Sequence, residues 1–318
     1  MKKIVLLLAI LCLPVLVSAQ GFPNRPVRIV VPYGTGGGSD ILARQLALKL
    51  GEMWGQAVTV ENRAGASGNL GTEVVVKSPA DGYTLVMQNT TMTVNPAIMA
   101  RMTFDVVKDL TPIVLVGYTP ITIVAHPGAR ISSIKDLTDA AKANPGKLAY
   151  GSCGNGTPQN FAVELYQVVA GISLIHAPYK GCAPGLIDVV GGQVPLAVLS
   201  SNMVAPYLKS GRLKGLAITS REPYGPTPEV PTMEALGYKD FDFGNWYGLM
   251  GPAGMPRAVV EKIQADALKV MSLPDVVANM SSAGVEKFSG TAAQMAEQIK
   301  LDVARYARLA KQANIKPE

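Results

Sequence analysis

Apolar and polar residues are arranged in blocks along this chain, and the blocks alternate in period. Val27 to Tyr33 (VRIVVPY) is an almost continuous apolar run, as in a strand buried on both faces of a parallel sheet. Ile41, Leu42, Leu46 and Leu50 follow at helical spacing, with Arg44, Gln45 and Lys49 on other faces, which predicts a helix with one buried face. Gly51 and Gly55 bracket its end. Strands are then predicted at Val58–Val60 and Tyr83–Met87, with a helix over Asn69–Lys77 between them. Leu110 to Ala125 is β-branched and apolar despite Pro112 and Pro120, and reads as one long strand region crossing between domains.

A second strand–helix series follows. Helices are predicted at Ile134–Ala143, Gln159–Ala170, Gly185–Val190 and near Val204–Lys209. The strands are Leu148–Gly151, Leu174–Pro178, Pro195–Leu199 and Gly215–Thr219. The segment 223-PYGPTPEVPT-232, with four prolines, is a rigid connector. Trp246–Met250 is one more strand, and Arg257–Ile315 is amphipathic and helical, a tail that could return to the first domain. Such alternation predicts an α/β fold, its parallel sheets covered on both faces.

The N-terminus changes the picture of where the protein works. Met1-Lys2-Lys3 is basic, Ile4 to Val17 is apolar, and Val17-Ser18-Ala19 offers small residues for signal peptidase. Residues 1–19 read as a signal peptide cleaved before Gln20, and the run is shorter than the ~20 residues of a membrane span. Leu11 before Cys12 argues against a lipoprotein signal. Cleavage removes two lysines and no acid, lowering the formal charge of +6 by two. That mild charge has no Lys/Arg-rich runs or interleaved aromatics, so no nucleic-acid partner is expected. It can steer small anions. Cys153 and Cys182 remain, an even pair and hence a disulfide candidate in an oxidising compartment. No zinc-ligand spacing is present, and neither metal nor cofactor is expected.

The candidate chemistry lies in 32-PYGTGGGSDILAR-44. Gly34-Thr35-Gly36-Gly37-Gly38-Ser39 starts like a dinucleotide fingerprint, with Glu61 near where a ribose-binding acid belongs, but the sixth position is Ser39 instead of glycine or alanine. A phosphate-binding P-loop would need a lysine. No Gly-x-Ser-x-Gly elbow exists, Ser67 in 65-GASGN-69 lacks that spacing, and neither His126 nor His176 has an evident serine partner, so no catalytic residue is assigned. What remains is general: glycines let backbone amides approach an anion, and a helix N-terminus adds unpaired donors and a positive dipole end. A tight turn without a ligand is the alternative. Ser39 is positioned to cap the helix, and Asp40 is expected to point away or to cap. The loop 150-YGSCGNGTPQNF-161 repeats the logic, with Thr157 as N-cap and Pro158 in the first turn. Two such N-termini could hold a ligand with two acid groups, or clamp one carboxylate from both sides.

At these residues the chain resembles the periplasmic substrate-binding proteins of tripartite tricarboxylate transporters, often called Bug proteins. The similarity runs through 25-RPVRIVVPYGTGGGSDILAR-44, 61-ENRAGASGNLGTEVVVKSPADGYTLVM-87, 150-YGSCGNGTPQ-159, 176-HAPYKGCAPGLIDVVGGQV-194 and 246-WYGLMGPAGMP-256. The resemblance implies a two-domain periplasmic-binding-protein fold of type II, the Venus flytrap. Each domain would be a mostly parallel sheet flanked by helices: 20–122 plus 244–318, and 123–243. It implies a non-enzymatic receptor that captures a small carboxylate, a di- or tricarboxylate or an aromatic acid, and delivers it to a membrane permease, acting as a monomer. Carried over by motif, Tyr33, Gly34, Thr35, Gly36, Gly37, Gly38 and Ser39 form the first carboxylate loop. Gly154, Asn155, Gly156, Thr157 and Gln159 form the second. Asn89 and Thr90 line the cleft, and Tyr179 approaches from the second domain. A ligand-sensing partner of a signalling system, or an exported α/β enzyme, would be the other readings.

Three departures matter. Thr35 stands where the family often has proline, and Asn160 where it often has histidine. Pro195 and Ser200 replace common acids, and an uncharged Ser200 favours a ligand without an ammonium group. The resemblance also puts Cys153 and Cys182 at one cleft edge, where a disulfide would restrain the second loop; two free thiols are the alternative. Trp54 and Trp246 could stack on an aromatic ligand or simply pack. His176 reads as hydrogen-bonded core, and Arg28 and Arg63 are not assigned to the ligand.

Overall fold

The computed structural model describes residues 21–239, 241–313 and 315. The signal peptide expected over residues 1–19 lies outside them. In chain order the elements begin β1 (Val27–Val31), α1 (Gly38–Trp54), β2 (Val58–Asn62), α2 (Asn69–Val76), β3 (Thr84–Asn89) and α3 (Thr91–Ile98). Then come β4 (Leu110–Ala125), α4 (Ile134–Ala143), β5 (Ala149–Ser152), α5 (Pro158–Ala170), β6 (Ile175–Pro178), α6 (Cys182–Val190), β7 (Leu196–Ser200), α7 (Ser201–Lys209) and β8 (Lys214–Ile218). The chain ends with β9 (Gly244–Pro252), α8 (Arg257–Val270), α9 (Pro274–Ser282), β10 (Gly290–Thr291) and α10 (Ala292–Gln312).

The strands form a curled sheet in the order β2-β1-β3-β9-β4-β7-β5-β6, with β8 and β10 also paired to β4. Its outer parts are parallel, as the strand–helix alternation predicts: β1 with β2 and β3, and β5 with β6 and β7. The centre is antiparallel: β9 returns from the second strand–helix series and pairs antiparallel with both β3 and β4. The whole is therefore mixed. β4 pairs with β9 from Leu110 to Pro120, then with β7 and β8 from Ile121 onward. The change of partner falls at Pro120, which has no amide hydrogen to donate to a ladder.

Burial follows the patterning. Leu42, Leu46 and Leu50 of α1 are fully buried against β1, β3 and β9 in one core. Each side chain contributes roughly 1.5–3 kcal/mol by leaving water. A second core gathers Ile121, Ile123, Phe161, Tyr166 and Val198 around the other half of the sheet. Helix α10 joins the two halves. Met295 and Ile299 pack with Trp246 and Met250, while Tyr306 and Leu309 pack with Phe161 and Phe243. Its start is fixed by a capping box between Thr291 and Gln294, and Trp246 donates to Asp302 at 2.8 Å. Trp54 likewise donates to Asp266 at 2.8 Å, so both tryptophans are tied into packing.

The patterning predicted no helix over Thr91–Ile98. α3 forms there even though Pro96 lies inside it: Met92 packs into the core around Trp246 and Val94 into the core around Phe161, so it is buried on more than one side and shows no single-face period.

Candidate functional site

Five strand-to-helix junctions, β1–α1, β3–α3, β5–α5, β6–α6 and β7–α7, present helix N-termini just beyond the carboxyl ends of their strands, where open α/β sheets bind ligands. The first is the most open. Gly34, Thr35, Gly36 and Gly37 are all exposed. The N-cap of α1 is Gly37, not Ser39, and no side chain caps the helix. Ser39 instead sits inside the first turn, 3% exposed, and accepts from Asn89 Nδ2 at 3.3 Å. The first-turn amides of α1 are therefore left for water or a ligand.

Asp40 neither points away nor caps. Its carboxylate turns back to the loop and accepts from the Gly36 amide at 2.9 Å, Arg44 Nε at 3.0 Å and Asn62 Nδ2 at 2.9 Å. Burial raises its pKa, but these partners outweigh that and hold it below the usual carboxylate value. Asp40 is thus the brace of the glycine loop. Tyr33 donates to Gln88 at 3.1 Å, and burial pushes its phenol up so that it stays protonated. Gly38 leaves room for the Tyr247 hydroxyl, which lies where a Cβ would go. Thr90 is 1% exposed; its hydroxyl donates to the Gly244 carbonyl and accepts the Trp246 amide, both at 2.9 Å. That side chain is committed to strand pairing.

The loop 65-GASGN-69 adds a feature that spacing did not reveal. Gly65, Ala66, Ser67 and Gly68 all have positive φ (142°, 46°, 51° and 91°). For Ala66 and Ser67 this costs of order 1–3 kcal/mol each, strain that tends to collect at binding sites. The Ser67 carbonyl is held by Asn95 Nδ2 at 3.0 Å, and the Gly68 position lies against the Tyr33 ring. Two glycines bracketing small residues were the available signal.

The second loop is more self-contained. Thr157 caps α5 by accepting from the Asn160 amide, as its position predicts. Gly156 N donates to Asn160 Oδ1 at 3.2 Å, and Gly154 N to Ser152 Oγ at 3.1 Å. Three donors that could meet an anion are thus used internally. Gly154 and Gly156 have φ of 133° and 66°, so other residues would be strained there. Asn155 is exposed at the tip. Gln159 is 3% exposed, with Nε2 3.4 Å from Ser200 Oγ and 3.9 Å from Cys182 Sγ. Cys182 is joined to Cys153 by a disulfide spanning 29 residues. Helices α6 and α7, beginning after Gly181 and Ser200, carry no side-chain cap. Tyr179 packs its ring against Gly151 and Gly185, and its hydroxyl donates to Asp188 at 2.6 Å, so it is anchored to α6.

His176, contrary to the sequence reading, does have a serine partner. Ser152 Oγ lies 2.7 Å from Nε2, and the imidazole stacks on Tyr150 with centroids 4.9 Å apart. Ser152 is fully buried, however, and burial pushes His176 down to about 4, so the ring is neutral near pH 7. A serine with no accessible surface cannot attack a diffusing substrate. The strained loop and the second loop meet at a cavity of about 420 Å³, lined by Ser67, by Asn155 and Gly156, and by Asn160, Glu164 and His176; no residue from Tyr33 to Ser39 lines it. Among the described residues, no group of three or more His, Cys, Asp or Glu is arranged to hold a metal ion, and no helix is long and apolar enough to cross a membrane.

The chain matches known proteins along most of its length. Residues 42–315 match the family described as tripartite tricarboxylate transporter family receptor. The chain is 32% identical to Protein BugT of Bordetella pertussis, across 94% of this chain and 93% of that one. The structure of the periplasmic binding protein BugD superimposes with a TM-score of 0.77 at 30% identity, covering 93% of this chain and all (100%) of that one. R. palustris Rpa4515, solved with adipate, gives 0.80 at 29% identity with the same coverage. The fold is that of the periplasmic binding proteins, and the chain belongs to the tripartite tricarboxylate transporter receptor family.

Proposed function

We propose that this chain is an exported receptor that captures a small carboxylate between two lobes and hands it to a permease of the tripartite tricarboxylate type. The lobes are residues 20–122 with 244–318, and residues 123–243, and β4 crosses from the first to the second. The observation that carries the reading is the N-terminus of α1, uncapped by any side chain and preceded by four exposed residues, Gly34 to Gly37. Amides fixed at the positive end of a helix stabilise a carboxylate without needing a cationic side chain.

The uncapped starts of α6 and α7 supply further donors from the other lobe. No Lys or Arg is among the residues that the resemblance assigns to the ligand: Tyr33 to Ser39, Asn89, Thr90, Gly154 to Thr157, Gln159, Tyr179 and Ser200, of which Thr90 and Tyr179 already commit their hydroxyls to protein partners. Selection then rests on dipoles and on neutral side chains such as Thr35, Ser39 and Ser200. Ser200 beside Gln159 offers no countercharge to an ammonium group, so simple carboxylates bind more tightly than amino acids. Adipate in Rpa4515 makes dicarboxylates the first class to test. Binding without chemistry is the reading favoured by the full burial of Ser152 beside His176.

A thermal-shift screen of dicarboxylates, tricarboxylates and aromatic acids tests this, because a ligand that binds only the folded form raises Tm. At least one carboxylate is expected to give a saturable rise. No rise with any of them, or tighter binding of an amino acid by calorimetry, would count against the proposal.

A further inference from the structure

A second cavity, of about 440 Å³, shares no lining residue with the glycine loops. It sits where β4 changes partner, and its walls come from the middle of β4, the start of β9, residues 220–224, residues 286–288 and α10. Tyr118 and Glu286 form an antiparallel bridge across it, their backbones exchanging hydrogen bonds of 3.0 and 2.7 Å. Directly opposed residues project from the same face of a sheet, and so does the residue two further along. Phe288 is that residue, its ring centroid 5.8 Å from that of Tyr118. Tyr224 closes another side, and Gly244 leaves the space that the Tyr118 ring fills.

The charges in the walls are unequal in what they leave free. Arg221 is paired with Asp242 at 3.1 Å, and the Tyr118 hydroxyl donates to the same carboxylate at 3.1 Å. Arg305 donates to Asp302 and to the Asp242 carbonyl, both at 2.8 Å. Both guanidiniums are thus neutralised in place. Lys287 reaches toward Ser272, at 3.5 Å. Glu222, exposed at the rim, lends a further negative charge. The carboxylate of Glu286, by contrast, makes no hydrogen bond or ion pair among the described residues. Its field is felt at Tyr224, whose phenol is pushed up to about 12 by burial and by Glu286.

We propose that this cavity is a second ligand site, which takes a small alkylammonium ion between the Glu286 carboxylate and the rings of Tyr118, Tyr224 and Phe288. A cation is attracted by aromatic faces and by the free carboxylate together. An anion would meet Glu286 with no free guanidinium to offset it, and a neutral ligand would gain nothing from that carboxylate. The site is distinct from the carboxylate loops and does not rest on their assignment.

Isothermal titration of the purified protein with choline chloride, against sodium chloride at equal ionic strength, tests it. A saturable heat with one site per chain is expected. Glu286→Gln and Phe288→Ala, both at exposed positions, should each weaken binding by about tenfold or more while Tm stays near that of the parent. Gly37→Leu, aimed at the carboxylate loop, should leave choline binding unchanged, so that failure of one site is not read as failure of the other. No heat beyond the sodium chloride control, or unchanged affinity in either cavity variant, overturns the proposal.

Discussion

The carboxylate of Asp40 accepts the amide of Gly36 at 2.9 Å, four residues back along the chain. This single bond sets the shape of the most exposed glycine loop, and Arg44 and Asn62 keep the carboxylate charged and in place. Asp40→Ala removes three acceptor contacts from a nearly buried site, and should cost about 1–3 kcal/mol of stability by chemical denaturation. Carboxylate affinity should fall by about tenfold, since the loop must then be ordered on binding. Because the folded-state pKa of Asp40 is lowered, its stabilisation is present above the unfolded carboxylate pKa and is lost as pH falls through the folded value. The parent protein should therefore lose stability more steeply than Asp40→Ala as pH falls below about 4.

Gly37 and Gly38 are adjacent yet should respond oppositely to enlargement. Gly37 has φ of −79°, and the nearest atom to an added Cβ is 3.8 Å away. Gly37→Leu should fold with a Tm close to that of the parent and lose carboxylate binding in calorimetry. At Gly38 the Tyr247 ring occupies the Cβ position, so Gly38→Leu should lower stability by roughly 1–3 kcal/mol through overpacking. Equal Tm losses in the two variants would contradict this account of the loop.

His176 gives a pH signature in the opposite half. Its pKa is pushed down to about 4 by burial, against an ordinary value of 6.5. A group with a depressed folded pKa leaves the unfolded chain holding more protons between those values. Stability should decline as pH falls from about 6.5 toward 4, and the decline should be shallower in His176→Gln. Across pH 6.5–8 the neutral imidazole should leave ligand affinity flat, as titrations at several pH values can check.

The disulfide between Cys153 and Cys182 ties the second loop to the start of α6. In the chain-entropy picture a closed loop of this length is worth about 3.5 kcal/mol. Cys153→Ser with Cys182→Ser should lower stability by up to that amount and should weaken ligand binding, because Gln159 contacts Cys182. Unfolded, unreduced protein should show no reactive thiol from this pair; two would contradict the bond.

Much of the fold was legible because its cues are local. The apolar run of β4 and the period of α4 give those elements with the same limits in sequence and structure, and Thr157 caps where a threonine before proline should. The sites where sequence reading fell short depend on distant partners. Ser39 looks like a cap, but Asn89, fifty residues later, takes its hydroxyl, and Gly37 ends the loop. Asp40 looks like a first-turn acid serving the dipole, and only the fold brings Asn62 beside it. The left-handed run at Ala66 and Ser67 uses residues that rarely adopt it, so the flanking Gly65 and Gly68 were its only local cue. Ser152 and His176 lie on neighbouring strands, β5 and β6, whose register sets His176 opposite Tyr150 and on the same face as Ser152, two residues along.

The sixteen-residue strand β4 carries a consequence for how such a chain can diverge. One continuous backbone supplies ladder partners to both halves of the sheet, so a single-residue insertion or deletion inside it would reverse the facing of side chains downstream and misalign several neighbours at once. The strand-to-helix junctions have no such obligation. Lineages can change loop sequence and length there, and with them the chemical appetite of the receptor, while the shared strand is held to a fixed length like the keel of a hull that is refitted above the waterline.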